Sequence, residues 1–197
     1  MFKKIITLFC LLPILGYSFD DPETKISFPE SVNVFVNGKD ETLPMTGEAT
    51  RAKFFVKVYS VAHYMQNPPK GKPEAVFDAI FADDRAKQLT MIWVRDVEHA
   101  KVQAGYKESF DKVASGEELK GIQKEIDQFI GYFAKDAKKN DKYILRWLPG
   151  GVVQVDLNGA KKDEIKNVAF AKVLWSIWLG PKSVVNRNKL IGLVKET

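Results

Sequence analysis

Cysteine is almost missing from this sequence. The single one, Cys10, lies within the first eighteen residues. The rest of the chain can therefore form no disulfide and no thiolate-based metal or nucleophile site. Histidine is scarce too: His63 and His99 stand far apart with no ligand spacing between them, and read as packing or surface residues. There is no G-x-S-x-G elbow, no phosphate-binding glycine loop and no H-E-x-x-H pair, so neither a cofactor nor a metal is expected. Asp83-Asp84 mimics a carboxylate pair, but neighbouring side chains diverge and the pair reads as a turn. Internal repeats and low-complexity stretches are absent as well. Spacing alone names no reaction and no catalytic residue.

What is present begins with the pattern of a secretory leader. Lys3 and Lys4 form a positive end, Ile5 to Leu15 is almost wholly apolar, and Gly16-Tyr17-Ser18 puts small residues where a signal peptidase reads. A signal peptide over residues 1–18, cut after Ser18, is expected, followed by one domain over 19–197. The destination is the periplasm or the extracellular space. The apolar run has about half the ~20 residues a membrane anchor needs, and no later run is long enough for a transmembrane segment. Bulky Phe9 before Cys10 argues against lipid attachment. Thirty Lys and Arg face 25 Asp and Glu. The basic residues fall in scattered pairs such as Lys138-Lys139, with acids between them, as on a solvated surface. A nucleic-acid partner is not expected, because that would need a basic face with exposed stacking aromatics.

Along the chain, Val32, Val34 and Val36 alternate before Asn37-Gly38, a hairpin signal, with a return strand through Leu43. Thr50 to Met65 reads as one long strand. Ala52, Phe54, Val56, Val58, Ser60, Ala62 and Tyr64 would form its core face, and the face holding Arg51, Tyr59, Val61 and His63 is mixed, as beside a polar-mouthed cleft. A short helix is predicted over Pro73–Ala82 and a strand over Gln88–Arg95. Val102, Tyr106, Phe110 and Val113 stripe one helix, and Leu119, Ile122, Ile126, Ile130 and Phe133 a second. Tyr143–Leu148 and Val152–Leu157 make another hairpin around Pro149-Gly150-Gly151. Val168 to Leu179 is apolar nearly all round and reads as a buried helix, stopped by Gly180-Pro181. A last amphipathic helix runs through Val185, Leu190, Leu193 and Val194. Hairpins of strands and pairs of helices predict an α+β fold, an antiparallel β-sheet covered on one face by α-helices.

Two stretches carry a family resemblance. The run Thr46 to Met65, with Gly47-Glu48-Ala49-Thr50-Arg51 and then Phe55-Val56-Lys57-Val58-Tyr59 and Tyr64, resembles the G-x-G-x-R…F-x-K-V-Y…L-Y signature of bacterial chalcone-isomerase-like proteins. Leu148-Pro149-Gly150-Gly151, Asn158-Gly159 and Ile177-Trp178-Leu179-Gly180 resemble that family's P-G-x-G…N-G…I-W-L-G ending, and Val97 to Phe110 its middle helix. The resemblance spans about residues 27 to 195. It implies a strongly curved antiparallel sheet with helices on one face (an open-faced sandwich) and a cleft between the layers, which in plant relatives either cyclises chalcones or holds a fatty acid.

Residue by residue, the resemblance implies ligand-binding roles for Arg51, Tyr59 and Lys101. Arg51 matches an arginine that faces an anionic ligand, and a guanidinium can donate two parallel hydrogen bonds to a carboxylate. Tyr59 matches a hydroxyl position in the cleft. Lys101 matches a lysine near the catalytic tyrosine of true chalcone isomerases, but that tyrosine falls near Glu98 here and the asparagine that follows falls at Gly105. The second motif glycine is Ala49. On one unbroken strand Arg51 and Tyr59 would stand roughly 26 Å apart, too far for one head group unless the chain bends.

Three readings follow. The leading one is an exported, non-catalytic binding protein whose ligand is a fatty acid or similar amphiphilic anion, its tail beneath the helix Val168–Leu179. The second is an intramolecular lyase acting on a chalcone-like substrate. The third is an interaction module that docks through its sheet or its Trp-rich end.

Overall fold

The computed structural model describes residues 18–194. The predicted signal peptide, up to its last residue, lies outside them. Ser18 itself opens strand β1 (Ser18–Asp20), which pairs with β2 (Ser27–Pro29) as a small two-stranded ribbon.

The main sheet runs almost in chain order. Its strands are β3 (Ser31–Val36), β4 (Lys39–Lys53), β5 (Val56–Met65), β6 (Lys87–Trp93), β7 (Lys142–Leu148), β8 (Val152–Leu157), β9 (Ala160–Lys161) and β10 (Ile165–Lys166). Along its edge-to-edge path the order is β10-β8-β7-β6-β5-β4-β3, every pair antiparallel, with the short β9 beside β8. The sheet curls into a half-barrel. Helices α1 (Pro73–Phe81), α2 (His99–Val113), α3 (Gly116–Gly121), α4 (Gln123–Gly131) and α5 (Val168–Leu179) supply the second layer. The α+β class is as the pattern predicted.

The predicted strand Thr50–Met65 is two strands. The chain reverses at Phe54-Phe55, with φ of +49° and +65°. Lys53 pairs with Val56 and Ala52 with Lys57, so this is a two-residue hairpin. Left-handed backbone costs a bulky residue on the order of 1–2 kcal/mol, which is why a Phe-Phe dipeptide carries no turn signal. Val58 is an extra residue opposite the Arg51–Ala52 step, a bulge that restores the pairing of Arg51 with Tyr59.

Both faces of β5 are buried, not one. Tyr59, Val61 and Met65 join the main core with Leu89, Met91 and Trp147. Ala62 and Tyr64 point the other way, into a smaller cluster with Phe28, Val34, Val36 and Leu43. Strand β4 serves both layers because it bulges at Thr46, between the Met45 and Gly47 pairings. Helix α5 matches its predicted span: Asn167 caps it by accepting from the Phe170 N–H, and Trp175, Trp178, Phe170 and Leu174 are fully buried. A Trp-rich docking face is therefore ruled out, since Trp175 and Trp178 belong to the core.

The predicted second helix breaks at Ile122, whose backbone leaves helical geometry. The last predicted helix is only a 3-10 turn, Lys189–Ile191. Here the backbone is committed elsewhere. Leu193 donates its N–H to the Thr46 carbonyl at 2.8 Å, and the Thr46 hydroxyl donates to the Leu190 carbonyl at 2.7 Å. Gly47 allows the approach, since a Cβ there would lie 2.1 Å from the Lys189 carbonyl oxygen. Because the one hydroxyl proton of Thr46 goes to Leu190, the 2.6 Å contact with His63 makes Nδ1–H the donor. Burial pushes His63 down to about 3, so it stays neutral, a packing residue as expected.

Asp83 and Asp84 form no carboxylate pair. Asp83 accepts from the Trp147 indole and from the N–H groups of Gly150 and Gly151, closing the β7–β8 turn, while Asp84 binds Arg85.

Candidate functional site

Beyond Tyr59, strand β5 has left the partner strand β6, and the β4–β5 hairpin stands away from the helix layer. A cleft of about 780 Å³ opens there, bounded by the hairpin, the end of β6, α2 and the last turn of α5. This corrects the expected location. The body of α5 packs directly on the sheet, and only its last turn, through Ile177 and Trp178, reaches the cleft.

The floor is buried and largely apolar: Tyr59, Trp93, Val102, Tyr106, Ile177 and Trp178. Tyr59 packs edge-on against Trp93 at 5.4 Å, and Trp93 against Tyr143 at 5.6 Å. The Tyr59 oxygen accepts the indole N–H of Trp178 at 2.9 Å. Burial pushes the Tyr59 hydroxyl up to about 12, against the opposing pull of the Trp178 bond and the Arg51 charge. Its proton has no acceptor among the described residues. Neither has the indole N–H of Trp93, which is fully buried. Burial also raises Tyr106 well above the usual tyrosine range. The floor thus offers hydrogen-bond donors that hold their protons at neutral pH.

The rim is charged. Lys53 pairs with Glu108 at 2.6 Å, Lys101 with Glu98 at 3.2 Å, and Lys138 with Asp96 and Asp136 at 3.4 and 3.6 Å. Each rim acid is thereby engaged. Two cations are not: the Arg51 guanidinium donates once, through Nη1 to the Val184 carbonyl at 2.8 Å, and exposed Arg95 makes no ion pair among the described residues. A guanidinium carries five donors, so both keep several to offer.

All three residues singled out in the sequence border this cleft. Arg51 and Tyr59 come together because the hairpin makes them cross-strand partners. Lys101 sits on the rim, its side chain 70% exposed and its charge shared with Glu98. The residues missed were Trp93, Arg95 and Tyr106. Trp93 and Tyr106 carry the same apolar periodicity as ordinary core positions, and nothing in a single strand's pattern marks the end at which the core stops. Among the described residues, no cluster of His, Asp and Glu is arranged for a metal ion, and no helix is long and apolar enough to cross a membrane.

The sequence matches the chalcone isomerase-like family over residues 24–190, and the chain belongs to that family. The fold matches the crystal structure of a fatty-acid binding protein of Arabidopsis thaliana, with a TM-score of 0.71 over 89% of this chain and 96% of that one. At 16% identity the likeness is one of fold. No curated protein matches by sequence.

Proposed function

We propose that this chain is a non-catalytic binding protein, exported to the periplasm or beyond, that holds a fatty acid or a similar amphiphilic anion in the cleft. The observation that carries the reading is the inventory of the cleft. Its floor is apolar and its unengaged polar groups are donors: the Arg51 and Arg95 guanidinium groups and the Tyr59 hydroxyl. A carboxylate accepts from such groups, and an alkyl tail needs only the floor. The volume, about 780 Å³, is that of a small-molecule site. The solved fatty-acid binding protein of the same fold supports the choice of ligand, and the leader pattern of residues 1–18 supports export.

The cleft supports catalysis poorly. Chalcone cyclisation needs a free base to release the attacking phenolate, besides donors for the enolate that develops. The carboxylates here sit at the rim in ion pairs, and Glu98, an acceptor, stands where a catalytic tyrosine would be. Native mass spectrometry of the purified protein should find an added mass of an alkyl acid, or a fluorescent fatty acid should bind and be displaced by palmitate. An empty protein that binds no fluorescent fatty acid would reject the reading.

A further inference from the structure

The tip of the β4–β5 hairpin presents two phenylalanines to solvent. Phe54 is 86% exposed and Phe55 is fully so, at 103%, with Val56 beside them at 44%. No other part of the described chain exposes adjacent large aromatics in this way. The backbone makes the choice costly, because both residues adopt left-handed φ values. The same protein builds that conformation elsewhere with residues suited to it: Asn37-Gly38 at φ +50° and +80°, and Asn158-Gly159 at +56° and +84°. Where a turn forgoes Asn-Gly for two bulky side chains, the side chains themselves are being kept for a use.

The surroundings indicate that use. The last backbone bond tying the hairpin to its neighbour runs from the Val94 N–H to the Val58 carbonyl at 3.1 Å, so the tip projects past the sheet by two residues on each strand plus the turn, about 7 Å or more. Cations flank it on both sides: Arg51 on the cleft side, where Lys53 is paired with Glu108, Lys57 and Lys139 around a second depression on the other, and Arg95 bordering both. Phe54 and Val56 also line the mouth of the cleft.

We propose that the Phe54-Phe55 tip is a membrane-docking device, which inserts its two rings into the interface of a bilayer bearing anionic lipids while the flanking cations meet the head groups. Aromatic rings favour that interface, and basic side chains near an anionic surface add to the attraction. A protein partner fits less well. A stable protein interface takes about 800 Å² from each side, and two rings on a convex point, above strands already paired to each other, fall far short. A bilayer requires no shape complementarity. Docked this way, the cleft mouth would lie against the lipid surface. The inference stands apart from the proposed function, because docking needs no occupant in the cleft.

The test is flotation of residues 19–197, which hold every described element but the first residue of β1, with vesicles of phosphatidylcholine alone or doped with phosphatidylglycerol. The wild type should float with the doped vesicles. The double variant Phe54→Asn with Phe55→Gly should lose roughly ten-fold or more of that binding, with a thermal midpoint equal to or above wild type, because the new residues suit the turn. That midpoint separates lost docking from lost folding. The proposal is overturned if the wild type stays unbound, if it instead self-associates through the tip, or if the variant floats equally well. It is equally overturned if salt removes all binding from both proteins alike. Flotation by a protein that arrives empty and binds no fluorescent fatty acid would uphold docking and reject fatty-acid binding.

Discussion

Arg51 and Tyr59 face each other across the β4–β5 ladder, with the hairpin turn only three residues beyond Arg51. Directly opposed residues project from the same face of a sheet, with Cβ atoms about 5 Å apart. One head group can therefore reach both. The guanidinium is anchored by the Val184 carbonyl, and the hydroxyl by the Trp178 indole. Each anchor occupies one hydrogen-bonding position and leaves others open.

Replacing Arg51 separates charge from packing. Arg51→Ala should weaken displacement-assay affinity for a fatty acid by about ten-fold or more, the loss of one charge-assisted hydrogen bond. Arg51→Lys should recover only part of it, since an ammonium cannot donate two parallel bonds. Thermal midpoints should move little in both.

Tyr59→Phe leaves the buried Trp178 indole without an acceptor. Urea denaturation should show a loss of about 1–3 kcal/mol. The double variant Tyr59→Phe with Trp178→Phe should lose less than the sum of the single variants, because the unpaired donor is gone.

Glu48 makes stability fall as pH rises. It is nearly buried beside Asp21, and burial first, then the Asp21 charge, push its carboxyl from an ordinary 4.5 up to about 7. Glu23 adds to that push and Lys189 opposes it. Between those two values the folded protein keeps a proton that the unfolded chain releases. The stabilisation is therefore complete below about pH 4.5, declines up to about 7 and is lost above, a change on the order of 2 kcal/mol. Urea midpoints should be lower at about pH 8 than at about pH 5, and Glu48→Gln should flatten the difference. Asp21 has the opposite sign. Burial alone would raise it, but bonds from Ser60, the Glu23 N–H, Thr50 and Thr24 hold it below its ordinary 3.8. Its contribution is present above that value and is lost on acidification.

Gly47→Ala should be among the most damaging single-methyl additions. The new Cβ would lie 2.1 Å from the Lys189 carbonyl oxygen and 2.6 Å from the Leu190 carbonyl carbon, both backbone atoms. Relief requires the C-terminal segment to move away from β4, at about 2 kcal/mol or more. Gly38→Ala is the contrasting case for space, with nothing within 4 Å of the added methyl.

Much of the architecture was legible because its signals are local. Helix α5 has an Asn cap, an apolar body and a Gly-Pro stop, and β3–β4 turns on Asn37-Gly38. Phe54-Phe55 gave no such signal, so two strands read as one and the meeting of Arg51 with Tyr59 stayed hidden. The segment through Val185 and Leu190 has helical spacing, yet its backbone bonds to Thr46, a long-range contact that no local pattern encodes. The floor of the cleft was illegible for another reason: Trp93 and Tyr106 sit on stripes that also make the core, and only the third dimension shows where packing ends.

The clasp between Thr46 and Leu190 joins positions 144 residues apart. Closing so wide a loop is slow, and nothing rewards it until both partners exist. A ribosome must therefore deliver nearly the entire polypeptide before this lock can engage. Until then the nascent chain remains incompletely folded, its C-terminal segment free of β4.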